Sequence, residues 1–182
     1  MNRLTVLVVC LLASFSAAAQ RSSDVEAAFT RYAAATKTYD TAAMTALMHP
    51  DALRRFRTTI DAALAGPKRD QAKKELLPLF AVTTVAAFSA LSDAEAYRVM
   101  NETVAKGSPE LINMMSKSTY DLVGSFIKDG VAYVTYNLKM TVEGVPFTNQ
   151  VTQTLKMHNG KWLLMLPATA DATIAGIEAR FK

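Results

Sequence analysis

Residues 131–166 read VAYVTYNLKMTVEGVPFTNQVTQTLKMHNGKWLLML. Starting at Ala132, every second residue is apolar: Ala132, Val134, Tyr136, Leu138, Met140 and Val142. Their neighbours are mostly polar, which is the period of a strand with one face buried and one wet. Residues 145–158 alternate too, with Phe147, Val151, Leu155 and Met157 on one face. Asn149 and Gln153 interrupt that same face. Turn signals recur at Asp129-Gly130, Glu143-Gly144 and Asn159-Gly160. Asn-Gly and Asp-Gly suit two-residue hairpins because both central positions need positive φ. With residues 120–127 before and 162–166 after, the region predicts a four-stranded antiparallel meander.

Upstream the period becomes helical. Val25, Phe29, Tyr32 and Ala33 follow Ser23-Asp24, which reads as an N-cap. Asp40 reads as the cap of a second helix carrying Met44, Leu47 and Met48. Leu53, Phe56, Ile60 and Leu64 make a third stripe, closed by Gly66-Pro67. Residues 69–91 read as mostly helical, broken at Pro78. Ser92 and Glu95 have the spacing of a capping box and open a helix running to Gly107. Pro109 holds the favoured first position of another. After the sheet, Ile174, Ile177 and Phe181 predict a short C-terminal helix. The expected class is α+β: N-terminal helices packed on one face of a curved antiparallel four-stranded meander, with room for a pocket between the layers.

The first 19 residues read differently. Arg3, an apolar run over 4–12 and the small residues Ala17-Ala18-Ala19 predict a signal peptide cleaved after Ala19. The run is shorter than the ~20 residues a bilayer span needs. The expectation is therefore an exported protein, periplasmic or secreted, with residues 20–182 as one domain and no transmembrane span. Cys10 is the chain's one cysteine and is preceded by Val9, where a lipoprotein has a small residue. The mature chain then has no disulfide, no thiol nucleophile and no thiolate metal site. The 182-residue chain carries a formal charge of +4, with basic residues crowded at Arg54-Arg55-Arg57 and at Lys68-Arg69 with Lys73-Lys74. Such clusters read as solvated helix faces or as a site for an anionic surface. Export, and the lack of interleaved aromatics, argue against nucleic acid.

His49 precedes Pro50, which steers it out of the helical region; Pro50 and Asp51 suit the first turn of the next helix. His158 stands by a hairpin without ligand spacing, so no metal and no cofactor is expected. No nucleophile elbow or phosphate-cradling glycine loop occurs.

Residues 29–53, FTRYAAATKTYDTAAMTALMHPDAL, resemble the opening of the nuclear transport factor two-like superfamily. The resemblance rests on Arg31-Tyr32, Asp40, Met44 with Leu47, and Asp51-Ala52. It implies a cystatin-like α+β cone that often pairs through its sheet as a homodimer. The group includes ketosteroid isomerase and the polyketide cyclases. By that resemblance the oxyanion-hole tyrosine falls on Tyr32. The catalytic aspartate's place falls on Phe56, and a phenyl ring takes no proton. The family's first strand would follow Asp51-Ala52, whereas residues 53–116 keep helical spacing here.

Three functions compete. The leading expectation is a non-catalytic domain that binds a small apolar molecule or a partner protein, with Tyr32, Tyr136, Asn149 and Gln153 as lining residues. Buried amides must find partners, which is why Asn149 and Gln153 draw notice. The second is an isomerase or cyclase using Tyr32 and a displaced carboxylate, Asp40 or Asp121. The third is a cell-envelope module that uses the basic face of Arg54 to Arg57.

Overall fold

The structure is a computed structural model that describes residues 22–142 and 144–181. Residues 1–19, for which the sequence predicts a signal peptide, lie outside the described residues. Helix α1 covers 22–38 and is followed by α2 (Thr41–Ala46), α3 (Pro50–Ala65) and α4 (Arg69–Leu76). A 3-10 turn (Leu77–Phe80) leads to α5 (Val85–Ser89), α6 (Asp93–Gly107) and α7 (Pro109–Lys117). The strands β1 (Thr119–Lys128), β2 (Val131–Val142), β3 (Val145–His158) and β4 (Lys161–Leu164) come next, and α8 (Ala168–Phe181) ends the chain. The class is α+β, as the change of period predicts.

The four strands pair antiparallel in sequence order. Asp129 and Gly130 have φ of 52° and 75°, and Asn159 and Gly160 have 48° and 75°, the left-handed pairs a tight hairpin needs. The β2–β3 register sets Ala132 opposite Leu155, Val134 opposite Gln153 and Tyr136 opposite Val151. Paired residues share a face, so the apolar alternates of both strands meet on one side. That inner side carries buried Ala132, Val134, Tyr136, Leu155 and Leu164, all within the main core. From α1, Phe29 lies on Tyr136, with ring centroids 4.5 Å apart.

The helices supply the rest of the core. Phe56, on α3, meets Tyr97 edge-on at 5.6 Å and Phe80 at 6.1 Å, so this position is packing. Asp40 Oδ1 accepts from Ala43 N at 2.9 Å, the expected cap. Ser92 and Glu95 form the full capping box. Pro78 ends α4 by opening a 3-10 turn. The Ser23-Asp24 cap is corrected: residues 22–24 are already helical. Ser22 instead turns its hydroxyl to Ser125 of β1, at 2.7 Å.

The basic cluster on α3 is also corrected. Arg57 is buried; its Nη1 donates to Leu91 O at 2.6 Å, its Nε to Asp61 at 3.0 Å, and its guanidinium lies 4.2 Å from the Phe88 ring centre. A planar, weakly hydrated cation suits that stacked position. Arg55 pairs with Asp171 of α8 at 2.7 Å. A single exposed basic face over Arg54 to Arg57 is therefore not formed.

Candidate functional site

Two regions of the inner sheet face are candidates, one packed and one open. The packed region is a group of tyrosines. Tyr32 on α1 comes close to Tyr97 on α6, to Tyr120 on β1 and to Tyr136 on β2. Tyr120 and Tyr136 have ring centroids 5.7 Å apart. Burial holds the Tyr32 phenol well above the ordinary tyrosine value; neighbouring Tyr97 adds to the rise and a hydrogen bond with Thr36 opposes it. Burial likewise raises Tyr97, against hydrogen bonds with Asn101 and Tyr32. Burial pushes Tyr136 up to about 12, with Tyr120 adding to it. Burial also raises Tyr120, which nearby Ser118 opposes, yet its hydroxyl has no well-formed hydrogen bond. At neutral pH these phenols stay protonated. They can donate hydrogen bonds and cannot act as bases.

A proton abstraction would need a carboxylate in this group. Asp40 is exposed and committed to its cap. Asp121 pairs with Asn137 in the β1–β2 register, which puts it on the outer face, and it bonds Lys139 at 2.6 Å. Tyr120 and Tyr136 are on the inner face. Asp121 is thus across the sheet from the tyrosines, and Asp40 is at the surface with its carboxylate on the α2 cap.

The open region is the far end of the β2–β3 hairpin. Here Leu138, Met140 and Val142 pair with Asn149, Phe147 and Val145. The apolar alternation persists but the cover does not. Val145 is 65% exposed, Phe147 49% and Val142 44%. Helix α7 approaches this end of β2, yet none of its residues is buried, although Leu111, Ile112, Met114 and Met115 give it an apolar side. Between the two lies a cleft of about 700 Å³ lined by Leu111, Met114, Thr141 and Val142, with Glu110, Asn113 and Lys117 at its polar positions.

The expected lining residues divide between these regions. Tyr32 and Tyr136 belong to the tyrosine group. Gln153 is buried, and its Nε2 donates to Met165 O at 2.8 Å and Thr154 O at 3.0 Å, so the protein itself uses the amide. Asn149 is exposed on the open end, beside Phe147. Sequence reasoning passed over Tyr97, Tyr120 and the wall formed by α7. The apolar spacing of α7 was the available signal.

The two histidines also meet, with ring centroids 5.4 Å apart and edge to face. His49 Nδ1 accepts from Asp51 N at 3.1 Å as the N-cap of α3. Among the described residues no group of three metal-ligating side chains forms.

No protein-family model matches the chain, and no curated protein matches it in sequence.

Proposed function

We propose that this chain is an exported, non-catalytic domain that holds a small apolar molecule between α7 and the open end of the β2–β3 hairpin. One observation carries this reading. The apolar alternation of β2 runs the full length of the hairpin, and that of β3 resumes beyond Asn149, but the helices cover only its near half. Val142, Val145 and Phe147 are left exposed opposite an amphipathic helix with no buried residue. A cleft of about 700 Å³ is in the usual range for small-molecule sites, which are mainly apolar with a few polar groups to orient the ligand. Glu110, Asn113 and Lys117 are the polar groups at hand. The protonated tyrosines and the positions of Asp40 and Asp121 favour binding over proton transfer. A cone fold of the nuclear transport factor two-like kind remains part of this proposal, resting on residues 29–53.

Native mass spectrometry of the protein purified from its own host tests the reading. We expect an adduct that is lost in Phe147→Asp and Met114→Asp. An apo mass, with no thermal shift against fatty acids and sterols, defeats it. Export has its own test. N-terminal sequencing of the mature protein should begin at Gln20, and an intact Met1 in the mature protein would exclude cleavage.

A further inference from the structure

The cleft beside α7 has an apolar wall and a charged rim. Leu111 and Met114 line it and are half-buried, while Glu110, Asn113 and Lys117 line it from the same helix and are exposed. Residues three, four and seven apart share a helix face, so the polar set runs along the mouth and the apolar set lies behind it. Val142 closes the cleft from β2, with Val145 paired to it on β3. Among the described residues neither Glu110 nor Lys117 makes an ion pair. Seven residues of helix set them about 10 Å apart along the axis. Each charge therefore stands at the mouth with no partner of its own.

We propose that the ligand of this cleft is a single-chain aliphatic carboxylate, with its chain on Leu111, Met114 and Val142 and its head held at the rim by Lys117. The inference rests on the cleft reading given above and names the class of molecule within it. An amphiphile is the shape of ligand that uses both parts of the lining. Its chain leaves water against the wall, and its head stays hydrated at the mouth. The rim pair is exposed, so it selects the head group, while the buried chain supplies most of the affinity.

Two rim charges of opposite sign leave the sign of the head to be decided, and the rest of the chain decides it. The formal charge is +4. The four strands carry Lys128, Lys139, Lys156 and Lys161 against one carboxylate, Asp121. The summed field of the protein therefore draws anions to its surface. The position of Lys117 then limits how much charge the head can bring. Lys117 is in the last turn of α7, by the negative end of the helix dipole. One ammonium offsets one negative charge there. A phosphate monoester carries about −1.5 to −2 at neutral pH and would set its surplus against the helix carbonyls. A carboxylate brings a single charge.

Isothermal titration calorimetry with straight-chain carboxylates, kept below micelle formation, reads both halves of the site. Affinity should rise about fourfold for each CH2 added between octanoate and dodecanoate. Lys117→Gln should lower the ratio of dodecanoate to dodecanol affinity by about two- to fivefold, the worth of an exposed ion pair. Lys117→Glu should lower that ratio further and make dodecylammonium the better ligand. Circular dichroism should show the fold intact in both variants. A ratio that neither substitution moves overturns the inference, and so does a preference of the unaltered protein for dodecylammonium that Glu110→Gln removes. In both of those outcomes the amphiphiles still bind and the cleft reading stands. If no member of the series binds, the cleft reading and this inference fall together.

Discussion

Gln153 and Asn149 stand four residues apart on one strand, share one face and carry the same functional group. Their energetic roles differ because burial differs. Gln153 sits where β3 outruns β4, and its amide supplies Met165 O with the donor that the ladder does not provide there. Removing it leaves a buried carbonyl short of a partner and opens space in the core. We expect Gln153→Ala to lower unfolding stability by about 1–3 kcal/mol in urea titration. Asn149→Ala should stay within about 0.5 kcal/mol, as for most surface changes. The alternation alone put both amides on the inner face, and the register confirms that placement. Alternation could not tell which end of the hairpin the helices reach, because that depends on the position of α7. Arg57 makes the same point. Three arginines in four positions look alike on a helical projection, yet only one points at Leu91 and the Phe88 ring.

At the level of elements, the connection from α2 to α3 does two jobs in three residues. Leu47 and His49 give backbone hydrogen bonds to the β4 edge, while the His49 ring caps α3. The sequence shows the second job: an extended residue before Pro50 can only end one helix and start the next. The first job joins residues more than a hundred positions apart, and no local pattern encodes it. His49→Ala keeps the backbone bridge and deletes the cap acceptor. We expect it to cost about 0.5–2 kcal/mol, the range for lost N-caps. His49→Asn should recover most of that loss, since its side chain can also accept at this position. Recovery would separate the cap from the His49–His158 ring contact; equal losses in both variants would credit the ring contact instead. Helix α7 shows the converse limit. Its existence is plain from Pro109 and its apolar spacing, but its shallow seating depends on the length of the hairpin opposite it.

The whole molecule is two layers joined by aromatic contacts, with Phe29 and Tyr32 of α1 placed against Tyr120 and Tyr136 of the sheet. The layer order was readable from the switch of period after α7, because hairpin turns and alternation are local signals. The meeting of four tyrosines was not, since they come from four separate elements. Their burial has a consequence for pH. Burial raises Tyr136 from the ordinary 10.0 to about 12 in the folded chain, and Tyr32, Tyr97 and Tyr120 are raised as well. A raised acid holds its proton more tightly in the folded state than in the unfolded one, so deprotonation favours the unfolded chain. In linkage terms the full stability is present below pH 10, where both states are protonated. It falls as the pH climbs from 10 toward 12, because the unfolded chain then releases protons that the folded chain keeps. We therefore expect alkaline unfolding in this window, with the tyrosinate absorbance rising together with the loss of helical circular dichroism. Tyr136→Phe removes one such group and should move the alkaline midpoint upward while leaving the neutral-pH fold intact. If tyrosinate forms well before the fold is lost, these phenols are reached by water in the folded protein, and the packed half of the inner face is looser than its geometry implies.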